Sequence, residues 1–230
     1  QQGISKSGIL DKNIELKSLF SLVVTCCFAM ASCGQQSGPV SETINFPDKN
    51  LSQATFGAGC FWCEEAIFES VKGVREAVSG YAGGTKPNPT YYDLGSGPTC
   101  HAEMVNVYYD SSKIDFPTLL KIYFASQDPT QVDGQGPDTG EQYRSIVFYR
   151  NPSEKKMIEG YISQLRASGK YNKPITVQSE PFTKFWDAEA YHQNFVKRHP
   201  NNPYVLAESI PRIRRFQKQF PDLIKPDEKY

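Results

Sequence analysis

Apolar and polar positions change their period repeatedly along the chain, and each change predicts an element. A short apolar segment, Ala54 to Ala58, runs through Gly59 into a helix-like stretch, Phe61 to Ser70, with acidic Glu64 and Glu65 in its first turn. Cys60 therefore falls at a strand-to-helix junction. A strand over Val74 to Tyr81, a Gly/Pro/Asn loop from Ala82 to Thr90 and an alternating strand from Glu103 to Tyr109 follow. Asp115 then caps a helix over Phe116 to Ala125. The polar loop from Ser126 to Tyr143 has no apolar period, and its length suggests a functional loop. After a strand at Ser145 to Tyr149, Met157, Ile158, Tyr161, Ile162 and Leu165 give Ser153 to Ser168 one apolar face, with Gly169 as the stop. A strand near Ile175 to Glu180 closes the core. Beyond Phe182 come an aromatic cluster, Phe185, Trp186, Tyr191 and His192, and a basic segment, Arg212 to Lys218. This order predicts an α+β fold: a two-layer split βαβ, or ferredoxin-like plait, on a mixed sheet with additional loops and a C-terminal extension.

The N-terminal part has a different pattern. Leu19 to Ala31 is an apolar run that follows Lys12 and Lys17 and ends in Ala-Ser-Cys-Gly, the architecture of a signal peptide. Met30-Ala31-Ser32-Cys33 resembles a bacterial lipobox, which makes Cys33 a lipidation site and implies a lipid-anchored or periplasmic protein of the bacterial cell envelope. An ordinary secretory signal or a buried N-terminal helix fits the same run. The expected organisation is a signal segment over 1–33, a tether rich in Gln, Ser, Gly and Pro over 34–50, a catalytic domain over 51–205 and an extension over 206–230.

With 230 residues, one domain of ordinary size fits better than two large ones. The 25 basic and 25 acidic residues cancel, and no Lys/Arg stripe marks a nucleic-acid partner. Thirteen Tyr and fourteen Phe supply amphipathic rings for a pocket as well as for a core.

The six cysteines form two groups, Cys26, Cys27 and Cys33 near the N-terminus and Cys60, Cys63 and Cys100 in the body. In Gly57-Ala58-Gly59-Cys60-Phe61-Trp62-Cys63-Glu64-Glu65, glycines allow a tight turn that delivers Cys60 to a helix start, where the dipole is expected to lower its pKa. Cys63 lies one helical turn on, close enough for a disulfide after local adjustment. A structural disulfide, half of a zinc site and two buried thiols are the ordinary alternatives. A second pair of close ligands for a four-ligand zinc site is missing, so no metal is expected.

Gly59-Cys60-Phe61-Trp62 resembles the signature of the A-type methionine sulfoxide reductases, the peptide-methionine (S)-S-oxide reductases. Further blocks agree in order: Gly80-Tyr81-Ala82-Gly83-Gly84 with Pro87-Asn88-Pro89-Thr90-Tyr91, His101-Ala102-Glu103, the run from Gln135 to Ser145, and Phe185-Trp186 with Ala188 to Gln193. The match spans roughly Ala54 to Pro203. It implies reduction of the S epimer of protein-bound and free methionine sulfoxide by Cys60, with Glu103 as acid, Tyr91 and Tyr143 on the sulfoxide oxygen, and Asp138 positioning the site. Phe61 and Trp62 would wall the pocket for the S-methyl group, and Cys60 would become a sulfenic acid. Relatives often resolve this acid with cysteines near the C-terminus, yet none follows Cys100 here. Cys63 is the expected resolving residue and Cys100 the second choice, because His101, Ala102 and Glu103 are expected to line the same pocket. Trp186 and His192 are read as packing residues. Electrons would arrive from a thioredoxin-like reductant without a bound cofactor. The rival readings are a thioredoxin-like thiol-disulfide oxidoreductase and a binding protein for methionine-containing peptides.

Overall fold

The computed structural model describes residues 51–97 and 99–230. The expected signal and lipidation segment with Cys33, and the tether, lie outside the described residues.

A six-stranded mixed sheet forms the centre. Its strands are β1 (Ser52–Gly57), β2 (Val74–Ala82), β3 (Ala102–Tyr109), β6 (Ile146–Tyr149), β7 (Gln178–Pro181) and β8 (Phe185–Asp187), in the spatial order β7-β6-β1-β3-β2-β8. Every pairing is antiparallel except β6 with β7. A separate two-stranded ribbon, β4 (Gly134–Gln135) with β5 (Asp138–Thr139), stiffens the long polar loop. Alternation along β1, β3 and β6 places Ala54, Phe56, Val105, Val107 and Val147 on one face, within the main core. Met104, Ile146 and Phe148 form a smaller cluster with Phe182 and Phe185 on the other face. Glu103 shares the face of Val105 and so points toward the main core.

The helices of that core are α1 (Phe61–Glu69), α3 (Phe116–Ala125) and α4 (Pro152–Ala167). Local chemistry sets their starts. Asp115 accepts from the Thr118 amide at 2.9 Å, Asn151 from the Glu154 amide at 2.9 Å, and both α3 and α4 have a proline in the first turn. A short helix, α2 (Tyr91–Ser96), begins in a capping box made by Thr90 and Asp93.

Two expectations need correction. The last core strand begins at Gln178 rather than near Ile175, because the Thr176 amide bonds to the Pro129 carbonyl at 2.9 Å and is unavailable to β6. Helix α2 falls where no element was expected. Within the segment 206–230, a π-helical turn that starts at Val205, Val205–Ser209, continues into α6 (Ile210–Gln219) against α1. Its Ile213 and Phe216 are fully buried, and Ile224 bridges to Val71. A short helix α5 (Phe195–Arg198) precedes it.

Candidate active site

The site grows from the β1–α1 turn. Gly59 takes φ +73°, and a side chain there would overlap Gln135 of the ribbon. Its amide bonds to the Tyr143 carbonyl at 3.2 Å, which fastens the loop to the turn. Cys60 follows as the N-cap of α1 and offers no side-chain capping bond. The open amide of Phe61 instead donates to Glu103 Oε2 at 3.0 Å. A cavity of about 310 Å³ lies over these groups, lined by Cys60, Phe61, Trp62, Tyr91, Glu103, Asp138, Tyr143, Asn202 and Tyr204. The sequence-predicted catalytic and pocket residues are thus brought together.

Glu103 is buried, and burial pushes its carboxyl up to about 8 against the opposing pull of the Phe61 amide. It holds a proton at neutral pH. The Tyr91 and Tyr143 hydroxyls are hydrogen-bonded to each other, and burial raises both. Asp138 accepts from the Tyr204 hydroxyl at 2.5 Å. Trp62 stacks on Phe195 with ring centroids 3.7 Å apart and donates from Nε1 to His192 Nδ1 at 3.0 Å. His192 is buried, and burial lowers its pKa to about 4, so the ring is neutral. It therefore does more than fill space: it fixes the indole and lies against the Phe61 and Tyr91 rings, with centroids at 5.0 and 4.6 Å. Trp186 sits in β8 under Lys184, consistent with packing.

The two thiols depart from expectation. Cys60, expected low at a helix start, is raised, chiefly by burial and then by the hydrogen bond to Cys63 and the neighbouring Glu103, against the pull of the Tyr204 hydroxyl. Cys63 is lowered to about 7 by its bond to Cys60, by the Arg212 charge and by Ser209. Cys63 Sγ and Ser209 Oγ lie 3.2 Å apart, both buried. Arg212 donates to the Ser126 and Ala58 carbonyls at 2.8 and 3.1 Å and forms an ion pair with Glu64, which is buried rather than solvated. Glu65 is buried as well and accepts the Asn194 amide at 3.0 Å.

Cys100 is exposed and lines a different cavity, of about 540 Å³, together with Arg144 and Glu141. Of His101, Ala102 and Glu103, only Glu103 lines the Cys60 cavity. His101 bonds instead to the Gly84 amide at 3.1 Å and the Lys86 carbonyl at 2.8 Å. Among the described residues, no cluster of three or more His, Cys, Asp or Glu could hold a metal ion. Sequence reasoning missed Tyr204, Ser209 and Arg212. The one available signal was Ile213 and Phe216 beside Arg212, a buried helical face inside a run read only as basic.

A nucleophilic cysteine beside a second thiol and a protonated carboxyl, walled by aromatic rings, defines a thiol-based redox site. Comparison with known proteins gives the family. The family model of peptide methionine sulfoxide reductase matches residues 52–224. The peptide methionine sulfoxide reductase MsrA 2 of Synechocystis sp. is 42% identical over 188 residues, 81% of this chain and 86% of that protein. The MsrA of Thermus thermophilus is 42% identical over 173 residues, 75% of this chain and 97% of its own length. Among solved structures, reduced Mxr1 from Saccharomyces cerevisiae superposes with a TM-score of 0.64 at 29% identity, covering 71% of this chain and 93% of that one. The methionine sulfoxide reductase A of Corynebacterium diphtheriae gives 0.60 at 32% identity, covering 67% and 77%. The chain belongs to the peptide methionine sulfoxide reductase family.

Proposed function

We propose that the chain reduces the S epimer of methionine sulfoxide, protein-bound or free, with Cys60 as nucleophile. The observation that carries this reading is the buried Glu103, a carboxyl that keeps its proton near neutrality in the cavity that holds Cys60. A sulfoxide sulfur accepts a thiolate only as its oxygen takes up a proton, and a neutral buried acid can supply one. Cys63 takes the Cys60 proton within the bonded pair, and the Cys60 thiolate attacks the sulfur. The substrate S–O bond breaks, an S–O bond to Cys60 forms, and the Glu103 proton completes the sulfenic acid as methionine leaves. Tyr91 and Tyr143 hold the oxygen, Asp138 anchors Tyr204 at the cavity wall, and Phe61 and Trp62 enclose the methyl group. A protein thiol-disulfide oxidoreductase would have no use for this acid and phenol pair.

Cys63 then closes a disulfide with Cys60. Its bond to Cys60 supports this role, whereas Cys100 opens onto another cavity. A thioredoxin-like dithiol reopens the disulfide, and electrons that arrive as thiols require no bound cofactor. The antiparallel order β6-β1-β3-β2 with α1 and α3 is the basis for reading the core as a split βαβ plait. Lipidation at Cys33 and an envelope location complete the proposal. Mass analysis of the Cys33 peptide from cells tests that part, and an unmodified, uncleaved Cys33 would end it.

The test of function is one turnover without reductant on separate R and S epimers. The expected result is one methionine per protein from the S epimer alone, with a Cys60–Cys63 disulfide. A folded protein that releases no methionine would refute the reading.

A further inference from the structure

Sequence separation makes the surroundings of Cys63 unusual. Ser209 and Arg212 reach α1 from 146 and 148 positions away, carried by the π-helical turn and the start of α6. π-Helical turns recur where a helix must re-aim side chains at a functional site. This one sits between Tyr204, which lines the Cys60 cavity, and Ser209 and Arg212, which lie beside Cys63 and Glu64. One segment thus reaches both sulfurs. Arg212 is buried, as is its partner Glu64, and a buried guanidinium with this many fixed acceptors has a set position.

From this geometry we infer that Ser209 and Arg212 are positioning residues for the resolving step, holding Cys63 as the thiolate that attacks the Cys60 sulfenic acid. The inference rests on the reading of Cys63 as resolver. In the step, a Cys63 lone pair forms the S–S bond, the S–O bond of the sulfenic acid breaks, and the departing hydroxide takes a proton and leaves as water. The Ser209 hydroxyl donates to the Cys63 sulfur once it is ionised, and the Arg212 charge lies close by. The other titratable groups facing Cys63 are Cys60 and Glu64 from its own helix, Glu103 from β3, Tyr204, and, across a shared cavity, Asp128, Asp138, Glu208 and Arg215. Of these, Arg215 alone is a cation, and it lies on the cavity wall rather than in the buried pair with Glu64. Arg212 is the charge that favours the thiolate, and Glu64 opposes it.

The experiment is a rapid acid quench of the reductant-free reaction with S-epimer sulfoxide, which times methionine release and disulfide formation separately across pH. Variants are Ser209→Ala, which leaves the buried pair intact, Arg212→Lys, and the double variant Glu64→Gln/Arg212→Met, which removes the two buried charges together. In Ser209→Ala, disulfide formation should slow by roughly tenfold near neutrality relative to methionine release, the size of a one-unit rise in thiol pKa; in the double variant it should slow by less, because Glu64, which opposes the thiolate, is removed together with Arg212. Its pH midpoint should move upward, and Arg212→Lys should restore part of the rate. Disulfide formation at parental rate and midpoint in both variants would overturn the inference. Failure of the underlying reading looks different: a Cys63→Ser protein would still form an intramolecular disulfide through Cys100.

Discussion

Replacing Glu103 by Gln should make the protein more stable and inactive at the same time. The carboxyl is fully enclosed, and its pKa rises from the ordinary 4.5 to about 8 chiefly through burial. A group raised in the folded state binds more protons folded than unfolded between those two values, so stability falls as pH rises through that window. At about 1.4 kcal/mol per pH unit, the whole interval amounts to about 4–5 kcal/mol of lost stability above pH 8. Gln is nearly isosteric, keeps an oxygen for the Phe61 amide and never ionises. Urea unfolding of reduced parent and variant at about pH 5 and about pH 8.5 should show a variant advantage that grows by about 4 kcal/mol between the two conditions. Glu65, also pushed up to about 8 by burial, contributes the same slope to both proteins and cancels in the difference. Turnover of the variant should fall by about 10²–10⁴, the usual worth of a positioned acid. A stability difference that does not change with pH, or turnover within a few-fold of the parent, would refute the assignment of Glu103 as a buried neutral acid.

Two further perturbations test how the scaffold presents the site. Thr90→Ala removes the capping box of α2 at a cost of about 1 kcal/mol confined to that short helix, so KM should rise several-fold through Tyr91 while Tm barely moves. An unchanged KM would show that α2 does not place Tyr91. Gly80→Ala drives a methyl into the Phe185 ring and the Trp186 carbonyl across the β2–β8 pairing, which should lower stability by about 2–3 kcal/mol in thermal melts. A parental Tm would mean that β8 gives way without cost.

The elements that announce themselves locally were legible. Period-two alternation marked β3, and Asp115 with Phe116 to Ala125 marked α3, because caps and apolar spacing are properties of neighbouring residues. Cys60 at the strand-to-helix junction, and the gathering of Glu103, Tyr91, Tyr143 and Asp138 around it, could be read from the motifs in order. Strand β7 was misplaced because most of it is exposed or half-buried, and no apolar alternation fixed its start. Helix α6 was hidden because its buried face includes a charged residue, Arg212, whose partner Glu64 has no local signature in the sequence. The protonation of the two thiols was misjudged for a related reason. A helix start is a local feature, whereas the burial and the second sulfur that raise Cys60 are set by the whole fold.

The distance in sequence between α1 and its C-terminal partners has a consequence for synthesis. A ribosome releases Cys63 146 positions before Ser209, and Glu64 148 positions before Arg212. Until then the two sulfurs lack the groups that distinguish them. Arrival of that segment therefore completes the redox centre, and a product cut short by a premature stop before Tyr204 carries both sulfurs without their partners.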